Sequence, residues 1–137
     1  MARILALDYG KKRTGIAVSD PEQIIARGLA TVETKELIGY LKQYFKEEPV
    51  EKVIIGYPLN MDSTPTDATP LVDKFIGKYE HVFPDVEITK VDERLSSKMA
   101  STAISGMGLK KKDKESKELV DTVAATILLQ DYLESRR

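Results

Sequence analysis

Residues Arg3 to Tyr9 form an apolar run rich in Ile, Leu and Ala, and a second short run covers Thr14 to Ser19. Only Gly10 to Arg13 separates them, a spacing that predicts a β-hairpin. Ile24 to Val32, after a turn at Asp20-Pro21, predicts a third strand. From Thr34, placed as an N-cap, Leu37, Ile38, Leu41, Tyr44 and Phe45 recur at intervals of three and four, which predicts an amphipathic helix. Val50 to Gly56 is a compact β-branched run ending at Tyr57-Pro58, the pattern of a buried strand that enters a loop. Leu71, Val72, Phe75, Ile76 and Tyr79 predict a helix from Thr66 to Phe83, which Pro70 either starts or splits. Val86 to Val91 predicts the next strand. Ser96 or Ser97 then caps a helix carrying Met99, Ala100, Ala103 and Ile104 and stopped by Gly106 and Gly108, and a last helix runs from Glu118 to Leu133.

An antiparallel three-strand meander feeding right-handed βαβ crossovers gives an α/β fold. Its expected form is one mixed five-stranded sheet, the meander plus parallel strands, flanked by helices. At 137 residues and 42% hydrophobic content, the chain 1–137 is expected to form a single domain. Two stretches without periodicity, Tyr57 to Pro65 and Gly106 to Lys117, are candidate substrate loops.

Composition narrows the chemistry. The chain has no cysteine and a single histidine, His81, so thiolate zinc sites, disulfides and histidine clusters are excluded. Any metal must be held by oxygen, which favours Mg²⁺ or Mn²⁺. The N-terminus lacks the pattern of a signal peptide, and no stretch approaches the roughly 20 apolar residues of a membrane span, so no membrane association and a cytoplasmic location are expected. The net charge of −1 does not by itself announce a nucleic-acid binder. Basic residues are nevertheless clustered, in Lys11-Lys12-Arg13 and in the five lysines between Lys110 and Lys117. The plain alternative for both runs is a solvated loop.

Three acidic positions stand beside apolar segments. Asp8 closes a strand whose neighbours Ile4 to Leu7 are all apolar; the simpler alternative is that it caps the turn at Gly10. Asp92 and Glu93 end a second strand in the same way, directly after Val91. On the last helix Asp121 shares a stripe with Ala124, Ala125, Leu128, Leu129 and Tyr132, although an acid in the first turn also complements the helix dipole. Carboxylates gathered at one sheet edge raise one another's pKa unless a cation neutralises them. A bound divalent ion could activate a water and stabilise the leaving oxygen of a phosphodiester without any histidine or cysteine nucleophile. Arg94 could grip a phosphate as a two-pronged donor, and Ser96 and Ser97 could add hydroxyl or helix N-terminal contacts; otherwise they are a surface arginine and an N-cap.

Asp8-Tyr9-Gly10-Lys11-Lys12-Arg13-Thr14-Gly15 has the form D-x-G-x-x-x-x-G, shared by ribonuclease H-like nucleases and actin-like ATPases. LALDYGKKRTGIAVSD, IIGYPLNMD, VDERLSS and DTVAATILLQDYL, in order across nearly the whole chain, resemble the successive signatures of the YqgF (RuvX) family. The resemblance implies a ribonuclease H-like fold related to the junction resolvase RuvC. It also implies a metal-dependent endonuclease acting on structured nucleic acid, either in 5′-end maturation of precursor 16S ribosomal RNA or in Holliday junction resolution. Carried over by motif, Asp8, Glu93 and Asp121 would be the catalytic metal ligands, with Asp92 the substitute for Glu93, since adjacent strand residues point to opposite faces. Gly10, Lys11, Lys12, Arg13, Arg94, Ser96 and Ser97 would contact the nucleic acid. The family often has threonines in place of Ser96-Ser97 and a glycine near Ser63.

Two other readings belong to different classes. A catalytically silent module docking on ribosomal precursor RNA or a protein partner would fit the near-neutral charge. An actin-like ATPase would use the same glycine-bearing hairpin for a nucleotide phosphate, but such enzymes place ATP between two domains. Both monomer and homodimer remain compatible with the sequence; a two-fold symmetric junction would require the dimer.

Overall fold

The computed structural model describes residues 2–58, 64–92 and 113–135, with side chains of the last segment described from 122 onward. Strands β1 (Arg3–Tyr9), β2 (Arg13–Ser19) and β3 (Ala26–Glu33) form the antiparallel meander. β4 (Val50–Tyr57) pairs parallel to β1, and β5 (Glu87–Asp92) parallel to β4, giving the order β3-β2-β1-β4-β5. Three helices accompany the sheet among the described residues: α1 (Leu37–Glu47), α2 (Thr69–Val82) and α3 (Asp113–Ser135). The mixed sheet is the one expected, and no helix among the described residues is long and apolar enough to cross a membrane.

The alternation of strand side chains divides the core in two. Leu5, Leu7, Ile16, Val53 and Ile55 face Leu37 and Leu41 of α1 and Val72, Phe75 and Tyr79 of α2. Ile4, Ala6, Ala17 and Ile54 face the opposite way, against Ala125, Leu128, Leu129 and Leu133 of α3. Alanines on both sides of this second interface let α3 lie close to the sheet. Lys52 ties the β4–β5 edge to the end of α3, bonding Glu87 at 3.1 Å and the Tyr132 hydroxyl at 3.0 Å.

Several element ends differ from the sequence expectation, each for a local reason. The third strand starts at Ala26 rather than Ile24, because the Asp20 carboxylate accepts the backbone N–H groups of Ile24 and Ile25 at 2.8 Å each. Those two isoleucines are left exposed in the turn, where Gln23 takes a positive φ of 60°. A 3₁₀ turn, Thr34–Glu36, precedes α1, and the Thr34 side chain does not cap the helix. Helix α2 begins at Thr69, with Pro70 in its first turn instead of splitting it. The buried Thr69 hydroxyl reaches back to the Pro58 carbonyl at 2.5 Å, fixing where the chain leaves β4. The final helix begins at Asp113, so residues 113–117, expected in a loop, are helical. The predicted helix after Ser96 and most of the two candidate loops lie outside the described residues.

Candidate active site

Parallel pairing brings the C-terminal ends of β1, β4 and β5 to one edge of the sheet, where Tyr57 is level with Asp92 and Leu7 with Ile55. Asp8 lies at this edge, half-buried, and its place in the strand alternation puts it on the α3 face with Ile4 and Ala6. Across the β1–β2 ladder its partner is Gly15. On the other side, Gly56 follows the Leu7–Ile55 pair and shares the face of Ile54. At the positions level with Asp8 on its two neighbouring strands the chain therefore has glycines, Gly15 and Gly56, and the first of these is the second glycine of the D-x-G-x-x-x-x-G motif.

Gly10, Lys11 and Lys12 cross from β1 to β2 beside this edge. Gly10 is required by backbone packing, since a Cβ there would overlap the Arg13 carbonyl oxygen. The loop is held from outside the hairpin: Thr34 Oγ1 donates to the Gly10 carbonyl at 2.6 Å, and the Thr34 N–H donates to the Lys12 carbonyl at 2.9 Å. Because the Thr34 proton is committed to Gly10, the Thr14 hydroxyl must donate in their 2.9 Å contact. Lys11 and Lys12 are exposed, and with Arg13, Thr31 and Lys35 they border a groove of about 590 Å³. The basic triplet is thus a positioned group of cations on a pinned loop.

The remaining expected site residues divide into three groups. Asp92 is described and exposed, but by strand alternation it belongs with Ile88, on the α1–α2 face rather than beside Asp8. On that face the Tyr57 hydroxyl donates to Asp73 at 2.9 Å, and the Lys90 ammonium lies 3.5 Å from the same carboxylate. Glu93, Arg94, Ser96 and Ser97 lie outside the described residues. Asp121 is placed by its backbone alone, in α3, one turn before the buried Ala124 and Ala125. Among the described residues no three acidic or histidine side chains converge.

A contact that sequence reasoning did not find fixes the helix next to Asp121. Thr122 Oγ1 and Thr31 Oγ1 are 2.6 Å apart, clasping α3 to β3. Gly28 permits this approach, because a Cβ there would collide with the Thr122 methyl group. Threonines in a strand and a helix carry no distinguishing pattern; only the glycine inside the predicted third strand marked a close approach.

A family model described as RuvX, Holliday junction resolvase, matches residues 2–135. A candidate pre-16S rRNA nuclease of Flavobacterium psychrophilum is 52% identical over 133 residues, covering 97% of each chain. One from Bacteroides thetaiotaomicron is 47% identical over 137 residues, covering 100% of this chain and 99% of its own. Among solved structures, Thermus thermophilus RuvC in complex with a Holliday junction substrate superimposes with a TM-score of 0.55 at 17% identity, over 99% of this chain and 96% of its own. The fowlpox virus resolvase in complex with Holliday junction DNA gives 0.56 at 15% identity, over 98% of each chain. At such identities the structural likeness shows the fold, which is the RuvC-like ribonuclease H arrangement.

Proposed function

The chain belongs to the RuvX family, and on that premise we propose that it is a metal-dependent endonuclease that hydrolyses phosphodiesters in precursor 16S ribosomal RNA. The observation that carries this reading is the half-buried Asp8 at the end of β1, flanked by Gly15 and Gly56 on the face covered by α3.

The available donors fit a hard cation. No cysteine exists, and His81 belongs to α2, which packs on the other face of the sheet. Asp8, Glu93 and Asp121 are the proposed ligands of Mg²⁺ or Mn²⁺. Glu93 is favoured over Asp92 because it follows Asp92, whose position faces away from Asp8. A bound ion of this kind activates water and neutralises the leaving oxygen. Lys11, Lys12 and Arg13 draw in the phosphate backbone and set its register, while the pinned Gly10 loop keeps those cations at the sheet edge. Arg94, Ser96 and Ser97, which follow Glu93 in the sequence, are proposed to supply further phosphate contacts.

Precursor 16S rRNA is preferred to a DNA junction because the relatives named for it are about half identical over nearly the full chain, whereas the resolvases share the fold at 15–17% identity. Maturation of the 5′ end, in the cytoplasm of a bacterium, is the corresponding role. The test is cleavage of a precursor 16S rRNA fragment and a synthetic four-way DNA junction, side by side in Mg²⁺ or Mn²⁺. RNA cleavage by the wild type that disappears in Asp8→Asn and Asp121→Asn is the expected result. Activity unchanged in Asp8→Asn would refute the mechanism, and binding without turnover by the wild type would favour the silent docking module.

A further inference from the structure

On the face of the sheet away from Asp8, a groove of about 340 Å³ runs between α1 and α2. Tyr9 and Phe75, with ring centroids 4.9 Å apart, contribute its apolar surface, and Lys11, Lys35, Lys74 and Lys78 surround it. Among the described residues no carboxylate lines it. The four lysines come from three separate pieces of chain: the hairpin loop, the 3₁₀ turn and α2. Gathering them serves no folding purpose. Lys74 and Lys78 are a like-charge i, i+4 pair, which weakens a helix slightly. Lys35 meets Glu33 at 3.4 Å with both groups exposed, while Lys11, Lys74 and Lys78 have no ion-pair partner among the described residues.

Lys11 and Lys35 also border the larger groove beside Lys12 and Arg13, where Glu33 is the one acidic residue among the described lining, so the two grooves share two cations. We infer that this α1–α2 groove binds the phosphate backbone of the nucleic-acid substrate beyond the point of cleavage, with Lys74 and Lys78 as contacts additional to the hairpin loop. The inference rests on the nuclease reading. Flexible ammonium groups on three elements match a string of phosphates. A single small anion would need converging donors on a rigid frame, whereas these are flexible side chains from three separate segments.

The experiment compares Lys74→Gln/Lys78→Gln with Lys42→Gln/Lys46→Gln, which removes the same charge from an exposed stretch of α1 that lines neither groove. Fluorescence anisotropy of a labelled precursor 16S rRNA fragment in Ca²⁺ is followed across salt concentrations, with thermal midpoints confirming folding. The groove variant should bind roughly tenfold more weakly and show a shallower dependence of log K on log salt, by about 1 to 2. The α1 variant should match the wild type. If the wild type binds and the two variants behave alike, the groove assignment falls and the nuclease reading stands. If the wild type binds neither this RNA nor a labelled four-way junction, both fall.

Discussion

Thr34 Oγ1 donates a 2.6 Å hydrogen bond to the carbonyl oxygen of Gly10, so the segment between β3 and α1 restrains a hairpin loop formed 24 residues earlier. That carbonyl precedes two exposed lysines, and its position decides where they can reach. Hairpin loops are ordinarily the freest part of a sheet, whereas this one is bonded on its side-chain and backbone routes to the same threonine.

Thr34→Val keeps the side-chain volume and removes the hydroxyl. It leaves the Gly10 carbonyl and the Thr14 hydroxyl without their partner, which should lower stability by about 1–3 kcal/mol. Denaturant unfolding measures this. Precursor RNA binding at fixed salt should weaken in parallel, because the lysines are then carried on a looser loop. Wild-type stability in the variant would mean that water replaces Thr34 without loss.

Gly28→Ala drives a methyl group into the Thr122 side chain. The expected cost is about 1–3 kcal/mol, typical of overpacking. Thr122→Ser, which removes the obstructing methyl but keeps the hydroxyl bonded to Thr31, should restore most of it in the double variant. Calorimetry of the four proteins in this cycle gives the coupling directly. Strictly additive effects would show that the collision is absorbed elsewhere.

Stability in acid should depend on Asp20. The N–H groups of Ile25 and Ile24 bond its carboxylate and hold its pKa below the ordinary 3.8. A lowered carboxyl pKa means stability that is present above the unfolded value and lost as pH falls through the folded one. Asp20→Asn retains an oxygen acceptor but does not titrate. The gap in urea midpoint between wild type and variant, largest near neutrality, should therefore narrow as pH falls below the ordinary carboxylate range and through the lowered folded-state value. A gap independent of pH would rule out the carboxylate as its source.

The sheet was legible in the sequence because its apolar runs are short, bounded by turns and ordered as a meander followed by alternating helices and strands. Element ends were not, since they depend on which side chain captures a backbone group. Asp20 takes the first two amides of the predicted third strand, and Thr34, read as an N-cap, bonds to the hairpin instead. Of the proposed site, the position of Asp8 at the end of a buried strand could be read from its apolar neighbours, and the basic loop from its composition. The Thr31–Thr122 clasp joins residues 91 apart through ordinary hydroxyls, and Lys74 and Lys78 sit on a helix whose apolar stripe gives no sign of Lys11. Both relationships exist only once the chain is folded.

The clasp makes the outermost strand a reference point for the spacing between the two acids proposed as ligands, Asp8 and Asp121. Asp8 rides on β1, while Thr122, the residue after Asp121, is fastened to β3 with β2 between them. A change in the coiling of these three strands would therefore alter the separation of the two acid-bearing backbones without touching either acid.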